Sequence, residues 1–182
     1  MRATQTLKHE HDVIRQALAV LDALAVRIGR NDLPPAEDLA GLLDFFTVFA
    51  DGCHHVKEEK ILFPALQATG LGRTSGPVPV LLEQHDRGRS LVGFLRRELP
   101  ALDGDAAARE RFAATAREYV AMLEQHIRAE NEGLFAIADR MLSADRDREI
   151  SAAFDRHEEL EMGADVHRRF HRMLDGLAQR YR

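Results

Sequence analysis

The sequence contains one cysteine, six prolines, no tryptophan and no long apolar run, and these shortages exclude several classes of protein. A lone Cys53 cannot form a disulfide within the chain, and it cannot by itself supply the thiolates of a zinc site or an iron–sulfur cluster. No apolar segment approaches the ~20 residues that span a bilayer. The polar residues 1–5 lack the apolar region of a secretory signal peptide. We therefore expect a cytoplasmic protein that does not enter a membrane.

The charge balance argues against a nucleic-acid partner. The chain has 25 Lys and Arg against 30 Asp and Glu, a net charge of −5, so no basic binding surface is expected. Its 182 residues are enough for one domain with a proper core, and a second full domain is not expected. The scarcity of proline, with abundant leucine and small residues, is typical of an all-α protein.

Apolar residues recur with the three- and four-residue spacing of amphipathic helices along most of the chain. This spacing predicts helices over about 4–30, 36–63 or beyond, 78–99, 105–142 and 143–181. Pro64 is expected to kink or end the second helix, and Ser143 to cap the fifth. Short connections favour an all-α, up-down-up-down four-helix bundle over residues 1–142. Residues 143–182 are expected to pack as a helical extension alongside the bundle or over one end.

The helix faces that should form the core carry histidine and glutamate where leucine or alanine is usual. One histidine lies on each of the first and third helices, and a His–x–x–x–Glu pair lies on each of the second and fourth. Residues four apart share a helix face, and buried carboxylates are costly unless they are paired or bound to a metal. Imidazole and carboxylate donors suit iron, zinc or manganese. The six candidate ligands are His11, His54, Glu58, His85, His126 and Glu130.

Three alternatives stay open at this point. A lone histidine on an apolar helix face is more often a hydrogen-bonded core residue than a ligand, so the metal hypothesis depends on the six residues occurring together. His55 and Glu59 form a rival pair one residue along, although Leu–Phe follows Glu58 and Glu130 at the same distance, which favours the first register. Three histidines of the extension could add ligands if it covers the site: His157, His167 and His171.

Several short motifs resemble those of the hemerythrin-like (HHE cation-binding) family. These are Glu-His-Asp around His11, the two His–x–x–x–Glu pairs, the Glu-Glu-x-x-Leu-Phe-Pro run that begins at Glu58, and Glu-Gln-His ending at His85. The resemblance covers about residues 4–142. It implies a four-helix bundle that encloses a non-haem centre of two iron ions joined by an oxo or hydroxo bridge. The ligands it implies are the same six residues.

Two positions differ from the oxygen-carrying hemerythrins. Those proteins have a second histidine four residues after the helix-three ligand, where this chain has Arg89. They also have an aspartate five residues after the helix-four histidine, whereas here Glu130 follows at four. The pattern is instead similar to a six-ligand branch that includes iron-centre repair proteins and iron-sensing domains.

Three functions from different classes follow from this pattern. The leading hypothesis is a di-iron protein that binds or reacts with dioxygen, hydrogen peroxide or nitric oxide, including catalase-like or peroxidase-like turnover. The alternative is an iron or oxygen sensor or store without turnover. The third is a helical interaction module without a metal. The expected partner is a small diatomic or peroxide ligand, with neither nucleic acid nor membrane, and the chain is expected to be a monomer or a homodimer.

Overall fold

The chain forms six helices and no β-strand over residues 1–72, 75–161 and 163–181, the ranges that the computed structural model describes. Helix α1 is Arg2–Gly29, α3 is Pro77–Glu98, α5 is Ala144–Glu161 and α6 is Gly163–Tyr181. Helix α2 spans residues 36–68, in consecutive stretches Ala36–Phe45, Phe46–His55, Glu58–Leu62 and Phe63–Ala68. Helix α4 spans residues 106–141, as Ala106–Ala129, Glu130–Leu134 and Phe135–Met141.

Contacts between neighbouring helices show that α1 to α4 form the predicted up-down-up-down bundle. Thr4 donates to Asp139 at 2.8 Å and Arg15 to Glu124 at 3.2 Å, so α1 and α4 run in opposite directions. The same opposite order relates α2 to α3, through Asp51–Arg89 and Asp44–Arg96, and α3 to α4, through Arg87–Glu118 and Glu98–Arg111. The all-α bundle expected from the hydrophobic spacing is therefore confirmed.

A layer of buried polar side chains divides the apolar core of the bundle into two clusters. The larger cluster contains Leu21, Leu43 and Phe112, and the smaller one contains Leu7 and Phe135. Between these clusters, each of the four helices contributes buried histidine or glutamate side chains whose donor atoms come together in the interior. We call this set the polar layer, and its seven members are His11, His54, His55, Glu58, His85, His126 and Glu130.

Helices α2 and α4 each contain a π-helical turn that begins at a glutamate of the polar layer, and α2 has a further π-helical stretch, Phe46–His55, before it. The backbone N–H of Phe63 donates to the carbonyl of Glu58, and that of Phe135 to the carbonyl of Glu130, in both cases five residues back. Such π-helical turns are rare and occur often at functional sites. Pro64 follows the wide turn at a position where its missing N–H is tolerated. The proline therefore does not end α2, which continues to Ala68.

The C-terminal extension is present, but as two helices instead of the single helix expected from the spacing. Ser143 caps α5 as predicted, since its Oγ accepts from the N–H of Arg146 at 3.2 Å. Gly163 begins α6 with φ +62°, a left-handed conformation that glycine adopts readily and other residues avoid. Hydrophobic spacing continues across such a break, which explains why it was not predicted.

Both helices of the extension pack along α1 and α2. Asp147 of α5 accepts from the first backbone N–H groups of α1, those of Arg2 and Ala3, each at 3.0 Å. Phe170 of α6 meets Phe45 of α2 edge to face, with ring centres 5.6 Å apart. The extension therefore contacts the side of the bundle that α1 and α2 form. None of the helices in the described ranges has the length and apolar character that crossing a membrane requires.

The contact of Asp147 with the start of α1 predicts a measurable contribution to stability. Asp147→Ala removes the acceptor of two backbone N–H groups and is expected to lower the free energy of unfolding by ~1 kcal/mol, the typical effect of losing a helix cap. Urea unfolding followed by circular dichroism measures it. Asp145→Ala is the control, because Asp145 is exposed and its ion pair is with Arg148 on the same helix. Equal losses in both variants would contradict the prediction.

Candidate metal centre

The donor atoms of the polar layer form two groups in the middle of the bundle. Within each group the donor atoms lie within 4.8 Å of one another. The first donor group is His11, His54, Glu58 and Glu130, and the second donor group is His55, Glu58, His85 and His126. Glu58 belongs to both groups. All seven side chains are buried, and the most exposed, His55, has a relative exposure of 4%.

The structure brings together all six residues that the sequence predicted and adds His55 to them. The sequence presented His54 and His55 as rivals, because an ordinary helix turns consecutive residues about 100° apart. The π-helical stretch Phe46–His55 changes this spacing, and both imidazoles enter the layer. Glu59, the expected partner of His55, belongs to neither group. The His-His dipeptide before Glu58 was the signal for a seventh donor. That these residues bind a metal stays a prediction.

Each imidazole of the polar layer is oriented by an oxygen atom outside it. In all five histidines Nδ1 faces that oxygen, so Nδ1–H donates and the lone pair of Nε2 is left for the interior. The acceptors are Asn131 for His11 at 3.0 Å, Glu10 for His54 at 2.8 Å, Asp51 for His55 at 3.2 Å, Glu59 for His85 at 2.8 Å, and Gln84 for His126 at 2.9 Å. All five imidazoles therefore have the same orientation, with Nδ1 toward the outside of the layer and Nε2 toward its interior.

The inward-facing atoms of the layer are short of hydrogen-bond partners. Nε2 of His11, Nε2 of His54 and both carboxylate oxygens of Glu58 and Glu130 have no hydrogen-bond partner among the described residues. Oε2 of Glu130 lies 3.2 Å from Nε2 of His11 and 3.1 Å from Nε2 of His126, but these nitrogens carry lone pairs in this tautomer and donate no hydrogen bond. Each such buried atom costs ~1–3 kcal/mol. Nε2 of His85 and Nε2 of His126 face each other at 3.2 Å, although both carry lone pairs in this tautomer. Cations bound between these atoms would satisfy the unpartnered atoms and would relieve the repulsion between the facing lone pairs of His85 and His126. The donor set suits first-row transition metals.

The electrostatics of the layer also favour a bound cation. Burial and the neighbouring imidazoles hold the pKa of His54 and of His55 well below the usual value, which keeps both rings neutral. Burial and the adjacent Glu130 carboxylate raise the pKa of Glu58. Burial also acts to raise the pKa of Glu130; charge and hydrogen bonds from protonated His126 and His11 would outweigh it and lower the pKa, and beside neutral imidazoles a bound cation would act in the same direction. Two carboxylates at this distance ionise together most easily around a positive ion.

A chain of charged contacts connects the first donor group to the C-terminal extension. Nζ of Lys57, which is fully buried, lies 2.5 Å from Glu10 and 2.7 Å from Glu158 of α5. The second oxygen of Glu10 accepts from His54. Burial acts to lower the pKa of Lys57, but the carboxylates outweigh it and the pKa is raised. We call this series Glu158–Lys57–Glu10–His54 the charged chain.

Arg89 supports the second donor group from outside in a corresponding way. Its guanidinium contacts Asp51 at 2.8 Å and Glu59 at 3.1 Å, the acceptors of His55 and His85. The hydrogen bond from His85, together with Arg89, overcomes burial and lowers the pKa of Glu59 to about 2. The sequence marked Arg89 only as a departure from the oxygen carriers. In the structure it orders the two carboxylates that orient these imidazoles.

The histidines of the extension do not join either donor group. His157 donates from Nε2 to the carbonyl of Gly52 at 3.2 Å. His167 and His171 lie against each other, with ring centres 4.5 Å apart. Cys53 is buried with a free thiol, and burial raises its pKa to about 12. These residues therefore pack around the centre without supplying donors to it.

Comparison with known proteins identifies the family of most of the chain. The model of the hemerythrin HHE cation binding domain matches residues 2–138. Among relatives, an iron-sulfur cluster repair protein of Neisseria gonorrhoeae is 34% identical over 71% of this chain and 85% of its own length. Another iron-sulfur cluster repair protein, from Musicola paradisiaca, is 35% identical over 71% of this chain and 61% of its own.

A second kind of relative aligns with the C-terminal extension as well. An uncharacterised protein of Mycobacterium bovis is 28% identical over 92% of this chain. The alignment covers 62% of that relative, so the chain spans about three fifths of the relative's length. No solved structure matches the chain.

The charged chain Glu158–Lys57–Glu10–His54 predicts that the protein loses much of its stability when Lys57, the cation of this series, is replaced. Lys57→Met leaves the buried carboxylate of Glu10 without its counter-charge, and breaking a buried ion pair in this way costs ~3–5 kcal/mol. Urea unfolding of the metal-free protein measures the loss without any contribution from bound metal. The control is Lys60→Met, which removes an exposed lysine of the same helix. Equal stability of the two variants would contradict this account of Lys57.

Proposed function

Because the chain belongs to the hemerythrin HHE cation-binding family, we propose that its polar layer holds two iron ions and that it binds or reacts with dioxygen, hydrogen peroxide or nitric oxide. The observation that supports this most directly is the set of inward-facing donor atoms without hydrogen-bond partners among the described residues. The cytoplasmic location and the monomeric or homodimeric state expected from the sequence are parts of the same proposal.

Each donor group would hold one ion in this proposal. Glu58 is common to both groups and can bridge the two ions, and Glu130, whose Oε2 lies 3.1 Å from Nε2 of His126, also reaches toward the second. Four protein donors for each ion leave positions open for a small ligand. Bound iron would supply Lewis acidity and redox electrons.

The protein's own contribution is a fixed and dry environment. The five outer oxygens hold the imidazoles in the tautomer that presents Nε2 to the interior. The ring of Phe135 stacks on His11 at 5.5 Å, and the ring of Phe63 lies parallel to His85 at 6.1 Å. The apolar clusters on either side of the layer exclude bulk water, which strengthens the electrostatic interactions inside.

Metal content and the ultraviolet–visible spectrum of protein made in iron-supplied cells test the proposal. Wild type and His9→Ala, a control at an exposed position, are expected to bind about two irons per chain with oxo-bridge absorption bands. Glu58→Ala removes the donor common to both groups and should lose iron and bands together. His11→Ala and His55→Ala each remove a donor of one group and should retain about one iron.

Two results would contradict the di-iron proposal. One is a wild-type protein without bound metal, and the other is a metal content that does not depend on Glu58. Full iron retention in His55→Ala, with loss in His11→Ala, would leave the six ligands implied by the resemblance and remove His55 from the set.

A sensor is the second candidate, and the charged chain favours it. Because Glu158 of α5 is connected through Lys57 and Glu10 to His54, a change at the first donor group has a direct contact route to the extension. The relatives named as iron-sulfur cluster repair proteins add cluster repair as a further activity to test.

Peroxide consumption and hydrogen exchange distinguish these functions. For the proposed reaction with oxidant, the iron-loaded protein is expected to consume many equivalents of hydrogen peroxide while amide exchange in α5 stays constant. A sensor would instead show stoichiometric reaction and altered exchange in α5. Repair would show as recovery of the cluster absorption of a damaged iron-sulfur protein when this protein is added. Peroxide consumption that is equal in the Glu58→Ala variant would exclude the centre as its source.

A further inference from the structure

A cavity of about 300 Å³ between α2 and α3 extends inward to the second donor group. Its lining includes His55, a member of that group, and Tyr119 of α4. We propose that this cavity is the entry route and binding pocket through which a small uncharged molecule reaches the centre. The proposal rests on the proposed function and adds to it the route of the ligand and its chemical class.

The position of His55 connects the cavity to the donor atoms. The His55 side chain lines the cavity, and its ring stacks on that of His85 with centres 3.9 Å apart. Tyr119 is also almost fully buried and packs edge to face on Phe46, another lining residue, at 5.0 Å. A molecule in the inner part of the cavity therefore contacts a side chain of the second donor group directly.

Glycines keep the α3 wall of the cavity thin. Gly88 and Gly93 both line it, although glycine inside a helix is destabilising relative to alanine. A Cβ at Gly88 would lie 3.5 Å from the ring of Tyr119 and 3.5 Å from Cε of Met122, which is ordinary contact. A methyl group therefore fits at this position, whereas a longer side chain would occupy space of the cavity.

The charges around the cavity favour uncharged molecules over anions. Arg89 and Arg96 line it, but both are already paired with carboxylates. The carboxylates are Asp44, Asp51, Glu59 and Asp86, of which Asp51 also lines the cavity. Because both lining guanidinium groups are held in ion pairs, neither is left to attract an anion. Phe46, Val92 and Tyr119 are buried and present apolar surface, which suits nitric oxide or dioxygen.

Xenon provides a test that does not depend on bound metal. Apolar cavities in proteins take up xenon, so crystals of the metal-free protein under xenon pressure should show the atom beside Tyr119. Gly88→Leu is expected to lose this xenon site, and Gly88→Ala to keep it. The matched control is Gly176→Leu on α6, where a Cβ meets nothing within 4 Å. Absence of xenon from the wild-type cavity would overturn the proposal.

The association rate of nitric oxide with the ferrous protein tests the route itself. Gly88→Leu should slow association by about tenfold, the effect of a barrier raised by ~1.4 kcal/mol. Thr47→Phe places a large side chain at the exposed end of the cavity and leaves the inner packing unchanged. It should also slow association. Gly176→Leu should match the wild type. Iron content and spectrum are recorded for each variant.

The outcomes separate failure of this inference from failure of the proposed function. Normal iron content together with wild-type association rates in both Gly88→Leu and Thr47→Phe would overturn the proposed route. A wild type without iron would overturn the di-iron proposal, and the xenon result would still report on the cavity. Azide tests the preference for uncharged molecules: because both lining arginines are already paired with carboxylates, added salt should not slow its association, and that of nitric oxide should not change. Azide association that slows with salt would overturn this preference.

Discussion

The shortage of hydrogen-bond partners inside the polar layer is the constraint on which the rest of the structure depends. Five imidazoles and two carboxylates lie between two apolar clusters, and burial of such groups is costly unless each is satisfied. Protein oxygens satisfy the outward-facing nitrogens, while several inward-facing atoms have no partner in the described part of the chain. The bundle supplies the oxygens that face the outward-directed nitrogens, and a cation is the chemical species that fits the inward-facing nitrogen and carboxylate atoms.

The two donor groups are supported by different parts of the molecule. The first is connected through Glu10 and Lys57 to Glu158, so the C-terminal extension takes part in orienting His54. The second is supported by Arg89, which holds the acceptors of two imidazoles, and it borders the cavity between α2 and α3. One side of the centre is thus closed by an added helix, and the other is reachable from the surface. This asymmetry is the reason why we propose that a ligand reaches the second group.

His55 and Arg89 together explain how this chain departs from the oxygen-carrying pattern. Where that pattern has a second histidine on helix three, this chain has Arg89, and the additional imidazole of the second group comes from α2 instead. Arg89 contacts Asp51, which is the acceptor of that imidazole. In this chain the second donor group therefore takes an imidazole from α2, and the residue on α3 is an arginine that contacts the acceptor of that imidazole.

The sequence by itself determined the four bundle helices, the bundle and six of the seven polar-layer residues, because hydrophobic spacing reports directly which helix face is buried. His54 and Glu58 occupy positions of that spacing where an apolar residue is usual, and so they could be recognised without a structure. The tertiary structure decided what a 3.6-residue period cannot express. The π-helical stretch admits His55, Gly163 divides the extension, and Lys57 and Arg89 meet carboxylates distant in sequence. Such contacts depend on how the helices are placed against one another, and no local pattern in the chain encodes that placement.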